Sequence, residues 1–379
     1  MAGENRAAER STRAGRFGWL ADAQLISLAL ASTLIVVAAG LVQVSFGAYS
    51  MSLAEAWRAV FDPVVWTNPG VIAELLLGEE LAATLGLSAG VELSRETLIV
   101  WNIRMPRVLV GAFVGMNLAV SGAIFQAVTR NELASPFILG VSSGAGLMIL
   151  LTLVVFSGLT TLLPVIASVG GAAAFLIVYA IAWKGGTSPV RLVLAGVIVG
   201  TVLNSLQTGI FFFADDIGVV QNAISWTTGS LTGTDWGQVR MILPWTLVAM
   251  ALALVSSRQL NVLLLGERTA SALGMSVEKV RFALSGVAVL AAAASIAAAG
   301  IVSFVGLIVP HVVRNVVGSD YKRLIVGCLF AGPALMVAAD VGARLALSPV
   351  QIPVGIVTGL IGGPYFLYLM RKKQQLGEI

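Results

Sequence analysis

Residues 282–318 read FALSGVAVLAAAASIAAAGIVSFVGLIVPHVVRNVVG. An α-helix needs about 20 apolar residues to cross the roughly 30 Å of hydrocarbon in a bilayer. This run is too long for one crossing and just long enough for two. Gly300 stands in its middle and Pro310 lies further on. We place the break at Gly300 and read SFVGLIVP as a chain that turns and re-enters the membrane. Working outward from this pair, the same criterion gives ten spans: 25–46, 108–128, 137–156, 160–183, 192–213, 240–256, 282–299, 303–318, 324–346 and 353–370.

Composition supports a lipid-solvated chain. Of 379 residues, 58% are hydrophobic and 11% are charged, with mean hydropathy +0.93. A soluble domain carries about 25% charged residues. The fold class expected is therefore an all-α polytopic membrane protein, a single ten-helix bundle. The one cysteine, Cys328, and the one histidine, His311, both lie in apolar runs. They exclude an intrachain disulfide, a Cys-based metal site and a His cluster, so no metal site is expected. His311 reads as hydrogen-bonded inside the bundle. The apolar run after the basic N-terminal stretch has no small-residue cleavage site and reads as a retained first span.

Orientation follows from the basic residues. With the N-terminus inside, 17 of the 23 Lys and Arg fall in inner segments, among them Arg6, Arg10, Arg13, Arg16, Arg371, Lys372 and Lys373. Both termini are expected in the cytoplasm. The division is an N-terminal tail, 1–24, one transmembrane domain, 25–373, and a tail, 374–379. Within the domain, 47–103 is an extended outer loop and 257–281 an inner loop.

Two stretches echo each other across that topology. Residues 263–275 read LLLGERTASALGM and residues 75–87 read LLLGEELAATLGL. Charge asymmetry puts the first inside and the second outside, so they cannot meet the same partner. The outer copy reads as a short amphipathic helix on the outer face, open to a soluble partner. The inner copy fits an interfacial anchor, a connector, or a contact for a partner protein.

Six stretches in order resemble the FecCD family, the membrane permeases of type II ABC importers for vitamin B12, ferric siderophores and haem. They are IVWNIRMPRVLVG at 99–111, SGAIFQAVTRNELASPFILGVSSGAG at 121–146, ISWTTGSLTGTDW at 224–236 and LGERTASALGM at 265–275. GIVSFVGLIVPHVVR at 300–314 and ADVGARLALSPVQIPVGIVTGLIGGPYF at 339–366 complete the set. Residues 60–98 are longer than the family's first outer loop.

The resemblance implies a cobalamin-permease-like homodimer of ten-span subunits in the cell membrane. It also implies two ATP-binding subunits beneath and an extracytoplasmic substrate-binding protein above, with no nucleic-acid partner. No GxxxxGK[ST] phosphate loop occurs, so ATP and Mg belong to the separate ATPase chain. This chain is expected to bind no cofactor and to be no enzyme.

Residue by residue, the resemblance places ATPase coupling on Leu265, Gly266, Glu267, Ala270, Leu273 and Gly274. The two leucines serve there as groove anchors and Glu267 as a helix-start cap. It places docking of the binding protein on Arg104, Arg107 and Arg344. Arg104 and Arg107 equally fit snorkelling side chains, and Arg344 an i, i+4 pair with Asp340. A cytoplasmic gate falls on Gly186, Thr187, Ser188 and Pro189 with Asn131, Leu133 and Pro136, where plain turn chemistry is the other reading.

The translocation path falls on Asn204, Ser205 and Gln207, polar groups that equally fit interhelix hydrogen bonding. Trp226 and Trp236 fit interface anchors. The rival function is an ion-coupled secondary transporter, for which Asp340 is the main mid-membrane ionisable group.

Overall fold

The computed structural model describes residues 22–375 apart from 47, 48, 50, 88, 89, 215, 348 and 349. The tail 1–24, with Arg6, Arg10, Arg13 and Arg16, lies almost wholly outside the described residues. No strand occurs among the described residues.

The helices run α1 (Ala23–Ser45), α2 (Leu53–Val60), α3 (Pro63–Thr67), α4 (Pro69–Leu77), α5 (Glu79–Thr84) and α6 (Arg95–Thr129). Then come α7 (Val141–Val155), α8 (Leu163–Ala182), α9 (Pro189–Phe211), α10 (Ile217–Thr228), α11 (Trp236–Val255), α12 (Ser257–Leu264) and α13 (Glu267–Ala272). The last four are α14 (Val277–Ala299), α15 (Val305–Val317), α16 (Tyr321–Leu345) and α17 (Val354–Gln375).

Among the described residues, seven stretches are long and apolar enough to cross a bilayer: α1, α6, Ser157–Ala182 ending in α8, α9, α11, α14 and α16. They occupy seven of the ten expected positions. The other three, 137–156, 303–318 and 353–370, hold shorter apolar helices: α7, α15 and, within α17, Val354–Tyr368. The expected break at Gly300 is present. α14 ends there at φ 71°, and Phe304 turns the chain at φ 67° before α15 begins. Such backbone needs partners inside a bilayer. Neighbouring turns provide them: Ile301 N–H donates to the Trp226 carbonyl at 2.9 Å and Ser230 N–H to the Ala299 carbonyl at 2.8 Å.

α6 starts earlier than expected. It begins at Arg95 rather than 108 and passes through one π-helical turn at Val100–Arg104. Hydropathy reads WNIRMPR as loop because of its two arginines. The structure keeps it helical because both guanidinium groups are buried in protein, not in lipid.

The outer segment is a set of capped helices. Ser52, Asp62 and Asn68 accept from first-turn N–H groups of α2, α3 and α4, which is why each start falls where it does. At α2 the box is reciprocal: Glu55 accepts from Ser52, and these bonds hold its carboxyl below the usual range. Trp101 donates to the Ala59 carbonyl at 2.9 Å, and Thr97 to Asp62 at 2.6 Å, tying this layer to α6. The helices α2–α3 and α4 are together apolar but bend by 104° between them.

The core centres on α6, which packs on α16, α14, α15 and α11. Two crossings bring backbones together. A Cβ on Gly122 would overlap the carbonyl of Gly306, and one on Gly115 or Gly332 would overlap the other's carbonyl. Lipid tails are as apolar as Leu, so helices associate through such close contact rather than through the hydrophobic effect.

The two LLLGE stretches adopt the same backbone. Gly78 has φ 91° and ψ 154°, Gly266 φ 99° and ψ 159°, and each opens a six-residue helix. Gly86 and Gly274 close them at φ 71° and 83°. Leu87 N–H donates to the Ala82 carbonyl at 2.9 Å, and Met275 N–H to that of Ala270 at 3.0 Å. Ala82 and Ala270 are each fully buried, while Leu85 and Leu273 are exposed.

The crossings yield a contrast. Gly122→Leu is expected to destabilise the protein by about 3 kcal/mol, the upper range for overpacking. Gly286→Ala, where an added Cβ meets nothing within 4 Å, is expected to stay within about 1 kcal/mol of the parent. Thermal unfolding in detergent measures both.

Candidate functional site

The inner element runs from α12 through Gly266 and α13 to Gly274 and α14. Leu265 and Leu273 are 58% and 65% exposed, whereas Ala270 is fully buried. Helix α13 is therefore seated by its alanine and shows its flanking leucines outward. Glu267 stands at the first position of α13, but Gly266 caps the helix with no side-chain bond. The expected cap is corrected: the Glu267 carboxylate accepts from Arg281 at 2.5 Å.

Arg281, near the start of α14, is 1% exposed. Besides Glu267 it donates to the Thr187 carbonyl at 2.6 Å, to the Thr187 hydroxyl at 3.1 Å and to Glu278 at 3.0 Å. Glu278 in turn accepts from Thr187 N–H at 3.0 Å and from its hydroxyl at 2.8 Å. Gly186 at φ 134° brings the backbone against this carboxylate, and a Cβ there would lie 3.2 Å from Glu278 Oε1. Ser188 accepts from Arg191 N–H at 3.2 Å and caps α9. The segment 186–188 and the element 266–272, far apart in sequence, thus share one buried guanidinium.

The segment 131–136 uses its polar group locally. The Asn131 side chain accepts from Leu133 N–H at 2.9 Å, a turn-making bond, and Leu133 is exposed. Arg130, left-handed at φ 49°, lines with Leu265, Gly266, Glu267, Arg268 and Thr269 an open inner cleft of about 410 Å³.

On α9, Thr201, Asn204, Ser205 and Thr208 are exposed and share one face at i, i+3, i+4 and i+7 spacing. Three hydroxyls bond back to the helix, Ser205 to the Thr201 carbonyl at 2.9 Å among them. Gln207 is half-buried; its amide donates to Asn204 at 3.0 Å and to the Ser143 carbonyl at 3.0 Å. Gln207 thus joins α9 to α7, while Asn204 and Ser205 face outward.

The outer arginines are corrected. Arg104 and Arg107 are only 3% and 7% exposed. They neither snorkel nor present a charge outward. Arg107 grips Asp340 with two bonds, Nε at 2.8 Å and Nη2 at 2.9 Å, and donates to Gln351 at 2.7 Å. Arg104 donates to the Val44 and Tyr49 carbonyls. Arg344, half-buried, donates to the Gln43 carbonyl at 2.9 Å, and the Gln43 side chain donates to Asp340. The partner of Asp340 is thus Arg107, not Arg344.

Trp236 is also buried, with its indole N–H on the Trp101 carbonyl at 2.6 Å, so it is no interface anchor. His311 is buried beside Tyr365 and Phe366, with Nδ1 3.8 Å from Glu132. Among the described residues no group of three His, Cys, Asp or Glu is placed to hold a metal ion.

The sequence reading missed Arg281, Glu278, Gln43 and Gln351. Arg281 entered it only as an inner charge. The available signal was its place one turn after Glu278, at the head of an otherwise apolar helix.

A family model described as the FecCD transport family matches residues 33–372. The chain is 42% identical over 283 residues to the Fe(3+)-citrate import system permease protein YfmD of Bacillus subtilis (strain 168), covering 75% of this chain and 84% of that protein. It is 41% identical over 278 residues to the cobalamin import system permease protein BtuC of Halobacterium salinarum, covering 73% and 74%. With the hemin transport system permease protein HmuU of Yersinia pestis it shares 36% over 282 residues, covering 73% and 84%. A solved metal-chelate type ABC transporter in an inward-facing conformation superposes with TM-score 0.74 at 26% identity, covering 91% of this chain and 99% of that one.

The outer cluster makes a stability prediction. Asp340→Asn is expected to cost about 3–5 kcal/mol, because it leaves the Arg107 charge buried without its counter-ion. Arg107→Met combined with Asp340→Leu is expected to recover most of that loss. Denaturant titration of the purified protein checks the pair.

Proposed function

The chain belongs to the FecCD transport family and is a multi-pass plasma-membrane permease of the metal-chelate type of ABC importer, and from that premise we propose how its parts divide the work. Two copies enclose a path between them. Each has ten spans, the three short apolar helices included, with both termini in the cytoplasm. ATP and Mg are handled by two separate ATP-binding subunits below. A substrate-binding protein delivers a ferric chelate or cobalamin from outside, as the substrates named for the relatives suggest. Residues 25–373 act as one permease domain.

The observation that carries this reading is the inner element 265–274. Its leucines point outward and its alanine inward, the arrangement a groove on a partner recognises. The exposed polar face of α9 supports a second copy or an aqueous path against it, since Asn204 and Ser205 are unfavourable toward lipid. The gate is assigned to 186–188, which shares Arg281 with the element, and to 131–136, which follows Arg130 of the same cleft. With Arg104 and Arg107 spent inside the chain, Arg344 keeps the most exposure of the three arginines for an outer partner. The ion-coupled alternative loses its main candidate, because Asp340 is already held by Arg107.

The test is uptake into vesicles holding the permease with its ATPase subunits. Uptake is expected to require ATP and both chains. Leu265→Asp with Leu273→Asp is expected to lower co-purification of the ATPase subunits at least tenfold and to leave the unfolding temperature unchanged, since both side chains are exposed. Uptake driven by an ion gradient in the absence of any ATPase subunit would overturn the assignment.

A further inference from the structure

The guanidinium of Arg281 deserves a role of its own. It is among the largest fully buried side chains of the described residues, and it lies near the start of α14. Its three anchors come from three places: Glu267 on α13, Glu278 on its own helix, and Thr187 between α8 and α9. Removing a charge from water is costly unless geometry and hydrogen bonds compensate. Here a planar fork with several donors reaches three partners at once, which an ammonium group on a flexible stem cannot do.

The partners are unequal in a useful way. The carboxylate of Glu267 belongs to a side chain 45% exposed, on the face that meets the cleft with Arg130. Thr187 is 3% exposed and is held by three hydrogen-bonded groups: its N–H, hydroxyl and carbonyl all engage Glu278 or Arg281. A displacement at α13 therefore reaches the backbone of 186–188 through two consecutive side-chain contacts. No rearrangement of the apolar core between α8 and α14 is needed.

We propose that Arg281 is the positioning residue that transmits movement of the α13 element to the 186–188 segment, so that an ATPase subunit seated on Leu265 and Leu273 shifts the gate through this one buried cation. This rests on the reading of 265–274 as the ATPase contact. It adds which side chain carries the motion and by what bonds. Glu278 clamps Thr187 to α14, and Glu267 supplies the moving end.

The experiment uses the full complex of permease and ATPase subunits in lipid discs. Lys184→Cys is the reporter: Lys184 is exposed beside the segment, and the native Cys328 is fully buried. The maleimide labelling rate of this cysteine, read on the permease chain by mass spectrometry, is measured with and without a non-hydrolysable ATP analogue. In the reporter-only complex the nucleotide is expected to change the rate at least fivefold. Glu267→Gln, at a half-exposed site, is expected to reduce that change to less than twofold in the complexes that retain their ATPase subunits, which co-purification counts in the same sample. Arg281→Gln is expected to do the same where it folds, and Arg281→Lys to restore only part of the response.

Thr187→Val is expected to add no further loss on top of Glu267→Gln, as residues of one chain of contacts are non-additive. A full nucleotide response in Glu267→Gln with the complex intact would overturn the proposal, as would losses from Glu267→Gln and Thr187→Val that simply add. Loss of ATPase binding from the Leu265→Asp, Leu273→Asp pair alone supports the contact reading independently. A reporter-only complex whose labelling ignores nucleotide would sink the gate assignment and this proposal with it.

Discussion

Gly122 lies against the carbonyl of Gly306, and Gly115 against that of Gly332. These contacts hold α15 and α16 on α6, the helix at the centre of the core. In a bilayer no apolar surface is hidden from water when two helices meet, so association rests on close packing and on satisfied polar groups. Glycine at the crossing lets two backbones touch. That contact allows α15 to be only 13 residues long, because the irregular backbone before it is wrapped by protein. The turn at Gly300–Phe304 then donates one hydrogen bond, from Ile301 N–H to the Trp226 carbonyl, and sits beside Gly229 and Gly355, where ends of α10, α14 and α17 converge.

Charge is the second constraint, and the fold handles it differently at its two ends. At one end, Arg107 and Asp340 form a two-pronged buried pair, with Gln43 and Gln351 bonded to it. At the other, Arg281 gathers Glu267, Glu278 and Thr187. The first pair closes on itself and reads as a fastening between α6 and α16. The second cluster keeps the Glu267 side chain 45% exposed.

The LLLGE echo separates local from global determination. Thirteen residues with a glycine at positions four and twelve adopt one backbone in two places. Even the neighbourhood of the first glycine is alike, with Arg240 over Gly78 and Arg130 over Gly266, each 3.7 Å from an added Cβ. The difference lies in what each copy is attached to. The outer copy is held by Arg240, which donates to the Leu75 carbonyl at 2.8 Å. The inner copy alone is bonded through its glutamate to a buried arginine that also binds a distant loop.

The helical membrane class, the break at Gly300 and the family resemblance were legible in the chain, because apolar run length, glycine position and motif order are properties of consecutive residues. So was the shape of both LLLGE elements, since a left-handed glycine and a short capped helix are decided within a dozen residues. The fate of the charges was not. Arg104 and Arg107 looked like an outward-facing pair, and only the packing of α6 on α16 brought Asp340, 233 residues away, to within bonding distance. Arg281 was one basic residue among many until folding set Thr187 and Glu267 on either side of it. A charge declares its sign in the sequence; whether it meets water, lipid or a counter-ion depends on which helices the glycine crossings bring together.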